Sequence, residues 1–260
     1  MIDFSKYQGT GNDFILIDNR TRVVKLDKVK FAQTWCDRRF GIGSDGIIFI
    51  ENSDEADFYM DFYNPDGSQS FCGNGSRCAV RFAQKLGIAN NSTVSFNAFD
   101  GVHLAEINDS TIRIKMKDVA DIRLLGEDYF MHTGSPHYIS FDETDSKNIV
   151  EFGKKIRYSA NFKPGGTNVN VVKTLSGNHI AVKTYERGVE DETFSCGTGV
   201  TACALSYAHK HGIAHGTITT TVKGGTLHVK FEKHEHGYHN IWLEGPAEFV
   251  YQGFIDDTVK

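Results

Sequence analysis

The sequence predicts an α/β protein made of two related halves, and three observations carry that expectation. The phrase Cys72-Gly73-Asn74-Gly75 returns as Cys196-Gly197-Thr198-Gly199, 124 positions later (196 − 72). Each copy opens a segment with helical spacing of apolar residues. In the first, Ala79, Val80, Phe82, Ala83 and Leu86 are interleaved with Arg77, Arg81 and Lys85; in the second, Val200, Ala204, Leu205 and Ala208 lead to His209 and Lys210. The strand-like segments that follow keep the same register, with His103 and His228 lying 125 positions apart (228 − 103). Self-similarity at a fixed period marks duplicated units.

The elements follow in order. In the first half, Phe14 to Ile17 is an apolar strand, and Val29 to Arg38 is a helix with Asp27 as its N-cap. Strands are expected at Ile47–Ile50 and at Phe58–Tyr63, the latter alternating with period two. After the Cys72 helix come Thr93–Phe96, Asp100–Leu104 and Ile112–Met116. The second half offers a strand at His137–Phe141, a helix near Lys147–Tyr158, and strands at Asn168–Val172 and Ile180–Glu186. After the Cys196 helix come Ile218–Val222, Gly224–Val229 and Ile241–Leu243. Each half reads roughly β-α-β-β-α-β-β. The boundary is expected near Lys117 to Asp121. No Pro/Gly/Ser-rich linker marks it, so the halves are expected to pack together around a cleft.

A chain of 260 residues accommodates one large domain or two of ordinary size. The hydrophobic share of 40% and the charged share of 23% are those of a globular protein. A net charge of −5 gives no electrostatic case for nucleic acid or an anionic membrane. No apolar run approaches spanning length, and Met1 to Lys6 lacks the apolar core of a secretory signal. The expectation is a cytoplasmic protein with no nucleic-acid or membrane partner, whose 5 cysteines stay reduced.

Two thiols at two helix N-termini suggest one site with a thiol on each side of a single substrate carbon. A helix N-terminus presents unpaired N–H groups and a partial positive charge. That field favours thiolate and also binds a carboxylate. The glycines at +1 and +3 are expected to let the backbone approach a ligand. Cys78 and Cys203 lie two turns into the helices and Cys36 on an apolar helix face, and all three read as packing residues. Gly41-Ile42-Gly43-Ser44-Asp45-Gly46 matches G-x-G-x-x-G, but a helix precedes it and a strand follows, so it reads as a turn rather than a nucleotide site. Asn64-Pro65-Asp66-Gly67 and Glu186-Arg187-Gly188 end matching strands shortly before each cysteine. A Glu-Arg pair there suits an ammonium and a carboxylate together. His137 follows Ser135-Pro136 at a strand start, a place expected at the cleft rim. His234, His236 and His239 read as a solvated hairpin, without the ligand spacing of a metal site. No motif calls for a cofactor.

With these residues in hand, the chain resembles the diaminopimelate epimerases over essentially its whole length. The segments that carry the resemblance are Gly9-Thr10-Gly11-Asn12-Asp13-Phe14, Gly41 to Gly46, Tyr63 to Ser68, Cys72 to Cys78, Gly134-Ser135-Pro136-His137, Thr167-Asn168, Tyr185 to Gly188, and Cys196 to Gly199. The resemblance implies two pseudo-symmetric domains, each a strongly curved, mostly antiparallel, barrel-like sheet around a central helix. Domain one is expected at residues 1–118, with a C-terminal strand at 250–260 returning to it, and domain two at 119–249. It implies a PLP-independent isomerase of lysine and cell-wall precursor biosynthesis, interconverting LL- and meso-diaminopimelate by a thiolate/thiol pair. By position, Cys72 and Cys196 are that pair, and His137 and Glu186 tune them. Gly73, Asn74, Gly197 and Thr198 hold the reacting carboxylate. Asn12, Asn64, Asn168, Glu186 and Arg187 bind the remaining groups. Tyr251 matches a dimer-contact pattern, so a homodimer is expected.

Two positions depart from the pattern. Ser135 stands where many relatives have Asn, and Gly46 where many have Gln. The rival readings are a proline racemase of the same architecture and a redox switch that joins Cys72 to Cys196. The Glu186-Arg187 pair favours a substrate with a second amino-acid end.

Overall fold

The computed structural model describes residues 1–256, so 257–260 of the expected last strand lie outside the described residues. The chain forms two compact units, residues 1–114 with the segment from Gly245 onward, and Lys115–Glu244. The first contains β1 (Ile2–Gly9), β2 (Asn12–Asp18), α1 (Lys28–Trp35), β3 (Gly46–Glu51), β4 (Phe58–Tyr63), α2 (Gly73–Lys85), β5 (Thr93–Ala98), β6 (Gly101–Ile107) and β7 (Thr111–Lys115). The second contains β8 (Ile122–Leu125), β9 (Asp128–His132), β10 (Pro136–Phe141), α3 (Ile149–Arg157), β11 (Asn168–Ser176), β12 (His179–Tyr185), α4 (Gly197–Lys210), β13 (His215–Val222), β14 (Gly225–His234) and β15 (Gly237–Pro246). The last strand, β16 (Glu248–Ile255), pairs antiparallel with β1.

The duplication is complete at the level of pairing. The first unit orders its strands β16-β1-β2-β3-β4-β5-β6-β7, and the second β8-β9-β10-β11-β12-β13-β14-β15. In the first, β2/β3 and β4/β5 are parallel and the other pairs antiparallel. In the second, β10/β11 and β12/β13 are parallel and the rest antiparallel. A parallel pair needs a crossover, and α1, α2, α3 and α4 are those four crossovers. The chain-terminal β16 stands in its unit where β8 stands in the other.

Helix α4 contacts β9 through β14, and α2 contacts β1 through β4 and β6, so each sheet curves around its helix. Every residue from Gly199 to Ala208 is buried, and a helix apolar all round belongs inside a core. Small residues such as Ala202, Cys203 and Ala204 let strands close in on it from every side. Leu205 is fully buried there, and its truncation to Ala would cost about 2–5 kcal/mol. Around α1 the strands are covered on both faces. Phe14, Leu16, Ile48 and Ile50 face the α2 core, while Ile15, Ile17, Ile47 and Phe49 join Phe31 and Ala32 of α1. Two-sided burial is why β2 and β3 read as unbroken apolar runs.

Some expectations need correction. Helix α1 stops at Trp35 because the chain folds back over its end: Ile42 and Gly43 N–H both donate to the Trp35 carbonyl at 3.0 Å. Three strands, β1, β8 and β9, carried no clear alternation. In β1 the interior is interrupted by Lys6, 5% exposed, which bonds to the Gly43 carbonyl and to Asp13 Oδ2 at 2.8 Å. Among the described residues, no helix is long and apolar enough to cross a membrane.

Candidate active site

Each unit places its cysteine at the same structural point. Cys72 is the N-cap of α2, with φ −125° and ψ 106°, and its Sγ accepts from Gly75 N–H at 3.4 Å. Cys196 is the N-cap of α4, with φ −121° and ψ 106°, and its Sγ lies 3.5 Å from Thr198 Oγ1. Their carbonyls take the first helical bonds, from Ser76 and Val200 N–H, each at 2.8 Å. The first-turn amides at Gly73, Asn74, Gly197 and Thr198 therefore form the positive ends of two helices.

A hairpin turn leans on each helix start, at matched positions. In the first unit, Thr10 O–H reaches Asn74 Oδ1 at 3.5 Å, Asn74 Nδ2 donates to Asn12 Oδ1 at 2.7 Å, and Asn12 Nδ2 donates to Asp45 Oδ2 at 2.8 Å. In the second, Ser135 Oγ is 3.1 Å from Thr198 Oγ1 and 2.9 Å from His137 Nε2, and Thr133 Oγ1 donates to the Thr198 carbonyl at 2.8 Å. Asn168 Nδ2 also donates to Ser135 Oγ at 3.1 Å. Ser135 is thus bound into a protein network.

His137 is fully buried, not at a rim. Its Nε2 is 2.9 Å from Thr198 Oγ1, which in turn neighbours Cys196. Burial, with the charges of His132 and Arg187, pushes it down to about 3, so it acts as a neutral dipole. Asn170 Oδ1 accepts from Thr184 O–H, and its Nδ2 donates to the Tyr138 carbonyl and to His137 Nδ1. That network assigns His137 the tautomer with hydrogen on Nε2.

The glycines at +3 are also places of close packing. A Cβ at Gly199 would meet Asn170 Oδ1 at 2.7 Å and His137 Cε1 at 3.2 Å, and one at Gly75 would meet Ile48 Cδ1 at 3.3 Å. At Gly46 a Cβ would fall 2.3 Å from Phe62 Cε2, so the Phe62 ring occupies the space of the missing side chain.

The strand-end loops are rigidly tied. Asn64 Nδ2 donates to Ser68 and Ser70 oxygens at 3.1 Å, closing the Asn64–Gly67 turn. Asn168 Oδ1 accepts Arg187 N–H at 2.8 Å, and Arg187 Nη1 reaches the Gly165 carbonyl at 3.3 Å. The Glu186 carbonyl accepts from Glu190 N–H at 2.8 Å. Glu190, at φ 63°, is the pin of this loop. Burial opposes its charge, but hydrogen bonds from Gly188 N–H, Tyr158, Arg157 and Tyr185 prevail and hold it down at about 2. The remaining cysteines are packing residues: Cys36, Cys78 and Cys203 are buried, and burial raises all three thiols.

The family model described as diaminopimelate epimerase matches residues 4–121 and 129–250. This chain belongs to the diaminopimelate epimerase family. A diaminopimelate epimerase from Flavobacterium psychrophilum is 47% identical over 253 residues, covering 96% of this chain and 98% of that protein. Another, from Aquifex aeolicus, is 36% identical over 280 residues, covering 99% of each. Among solved structures, a Bacillus anthracis phenazine biosynthesis protein of the PhzF family superposes with a TM-score of 0.78 at 14% identity, covering 98% of this chain and 99% of that one. A probable proline racemase from Agrobacterium radiobacter superposes at 0.70 and 12% identity, covering 99% and 93%. At such identities these likenesses show the fold alone.

Within this diaminopimelate epimerase family member, several residues beside the site escaped the sequence reading. Glu190 and Asn170 sat in no motif. His103, in register with His228, stacks its ring between Phe71 at 4.3 Å and Phe96 at 5.3 Å, with Nε2 2.7 Å from Asp100 Oδ1. It thereby backs the residue immediately before Cys72.

Proposed function

We propose that this chain interconverts LL- and meso-diaminopimelate without a cofactor, with Cys72 and Cys196 as the acid/base pair. The observation that carries the reading is a cysteine N-cap on the central helix of both units, in a chain of the diaminopimelate epimerase family. Removing an α-proton from an amino acid requires that the carbanion be stabilised through its carboxylate by dipoles already in place. The amides of Gly73, Asn74, Gly197 and Thr198 are such dipoles. One thiolate takes the α-proton, and the thiol on the opposite face returns another, inverting the centre. Asn12, Asn64, Asn168, Glu186 and Arg187 hold the other amino and carboxyl groups. Asn168 holds the Arg187 amide, Asn12 is bonded to Asn74 and Asp45, and Asn64 to Ser68 and Ser70, which orients them in advance of binding. His137 and Glu186 tune the thiols, His137 through the Thr198 hydroxyl.

We place the protein in the cytoplasm, where free cysteines such as these five stay reduced. A homodimer through Tyr251 is supported by β16, the outermost strand of its unit, which exposes Phe249, Val250, Tyr251 and Phe254. Serine replacement of each cysteine tests the mechanism. Cys72→Ser and Cys196→Ser should each nearly abolish epimerisation, since a serine hydroxyl is a far poorer base. In deuterated solvent, early wild-type product should carry deuterium at the inverted centre. Near-wild-type turnover by either variant in both directions would remove that cysteine from the chemistry.

A further inference from the structure

Helix α2 carries a charge that no carboxylate pairs with among the described residues. Arg77 is fully buried, five residues beyond Cys72. Its Nη2 donates to Thr10 Oγ1 at 2.6 Å and its Nε to the Pro246 carbonyl at 3.1 Å. Nη1 has no hydrogen-bond partner among the described residues. Both acceptors are neutral. A buried cation with only neutral partners is costly unless an anion lies near. Burial pushes Arg77 down, but only to about 10, so it is charged at neutral pH.

The other titratable groups around this helix start do not supply that anion. The neighbouring Cys78 thiol is pushed up to about 12 by burial and stays neutral. Tyr7 on β1 is likewise pushed up to about 12, with burial the largest cause. Asp45 engages Arg38 at 2.7 Å, and Asp100 engages His103 at 2.7 Å. Cys72 remains, half-buried and roughly 7–8 Å along the helix axis from Arg77, close enough for the two charges to interact.

The matched position on α4 is Thr201, also 124 residues on (201 − 77). It is uncharged, and its hydroxyl bonds back to the Gly197 carbonyl at 3.0 Å. Because Thr201 is uncharged, Arg77 is a difference of one full charge between the two helices at this matched position. Arg77 has a second task. Thr10 sits at φ 51°, a region a β-branched residue rarely adopts, and the guanidinium bond to its hydroxyl holds it there. Through Thr10, Arg77 sets Asn74 and Asn12.

We infer that Arg77 is the internal counter-charge of Cys72, a positioning residue that makes Cys72 the thiolate and Cys196 the thiol of the resting enzyme. The inference rests on the two-thiol reading above. The isomer whose α-proton faces Cys72 then meets its base without a prior proton transfer.

The test is alkylation by iodoacetamide across a pH series, with peptide mass spectrometry reading Cys72 and Cys196 separately in the same molecule. In wild type the Cys72 midpoint should lie below that of Cys196. Arg77→Met should raise the Cys72 midpoint by about one unit or more and leave Cys196 where it was. Arg77→Lys, which keeps the charge, should stay near wild type. An unmoved Cys72 midpoint in Arg77→Met, or a lower midpoint for Cys196 in wild type, would overturn the assignment. Should Arg77→Met fail to fold, the wild-type order and Arg77→Lys decide. Wild-type turnover of LL-diaminopimelate is measured alongside. Ordered midpoints without turnover would sink the epimerase reading and spare the counter-charge; turnover with reversed midpoints would do the opposite.

Discussion

His137 should make the protein acid-sensitive by an amount that can be worked out. Its imidazole is fully buried and held at about 3, against an ordinary 6.5. The folded-state value is depressed, so below about pH 6.5 the unfolded chain binds a proton that the folded chain refuses. Stability is therefore intact above pH 6.5 and falls as pH drops from there toward 3. From pH 7 to pH 5 the unfolded imidazole titrates through about 1.5 units while the folded one stays neutral. At 1.36 kcal/mol per unit, that is a loss of about 2 kcal/mol from this residue alone. His137→Gln removes the titration and retains hydrogen-bonding capacity toward Thr198. Urea unfolding of both proteins at pH 7 and pH 5 isolates the effect, because other titrating groups are common to both. Wild type should lose about 2 kcal/mol more than the variant between the two pH values. Equal losses would mean that His137 protonates freely in the folded state, and the neutral-dipole role at Cys196 would fall with it.

Arg187→Ala should lower kcat/KM for diaminopimelate tenfold or more, because losing a charge-assisted hydrogen bond costs roughly 1.5–3 kcal/mol; an unchanged value would take Arg187 out of the site. Tyr251, 43% exposed on β16 and edge-on to Phe4 at 6.0 Å, should govern association. Tyr251→Asp is expected to shift sedimentation toward monomer, and a wild-type sedimentation profile would count against this face as the dimer contact.

The elements legible in the sequence were those whose burial is one-sided or two-sided throughout. Phe58–Tyr63 was read to the residue, and Asp27 caps α1 as its side chain suggested, accepting from Val29 N–H at 2.9 Å. Strands β1, β8 and β9 were not. Buried Lys6 breaks the pattern of β1, and β8 and β9 are short and partly exposed. Helix α1 ended early because a later loop folds over its carbonyls, which no property of residues 36–38 announces. The strand partner that completes the first unit, β16, lies more than two hundred residues from β1 in the chain; no local pattern reaches that pairing, and the expectation of a strand at 250–260 returning to domain one rests on the family resemblance alone.

By itself the sequence determined the duplication, the two cysteines and the helices they open. These are local facts, written as a repeated tetrapeptide and a helical period, and local physics suffices to read them. The tertiary structure alone decided what surrounds the thiols. It buried His137 and so made it neutral, and it committed Ser135 and Asn168 to one network. It filled the space beside Gly46 with Phe62, and it left Arg77 charged inside α2 with a guanidinium nitrogen unbonded among the described residues. Burial and charge pairing depend on residues far apart in the chain, and those distances are set only when the sheets close around their helices.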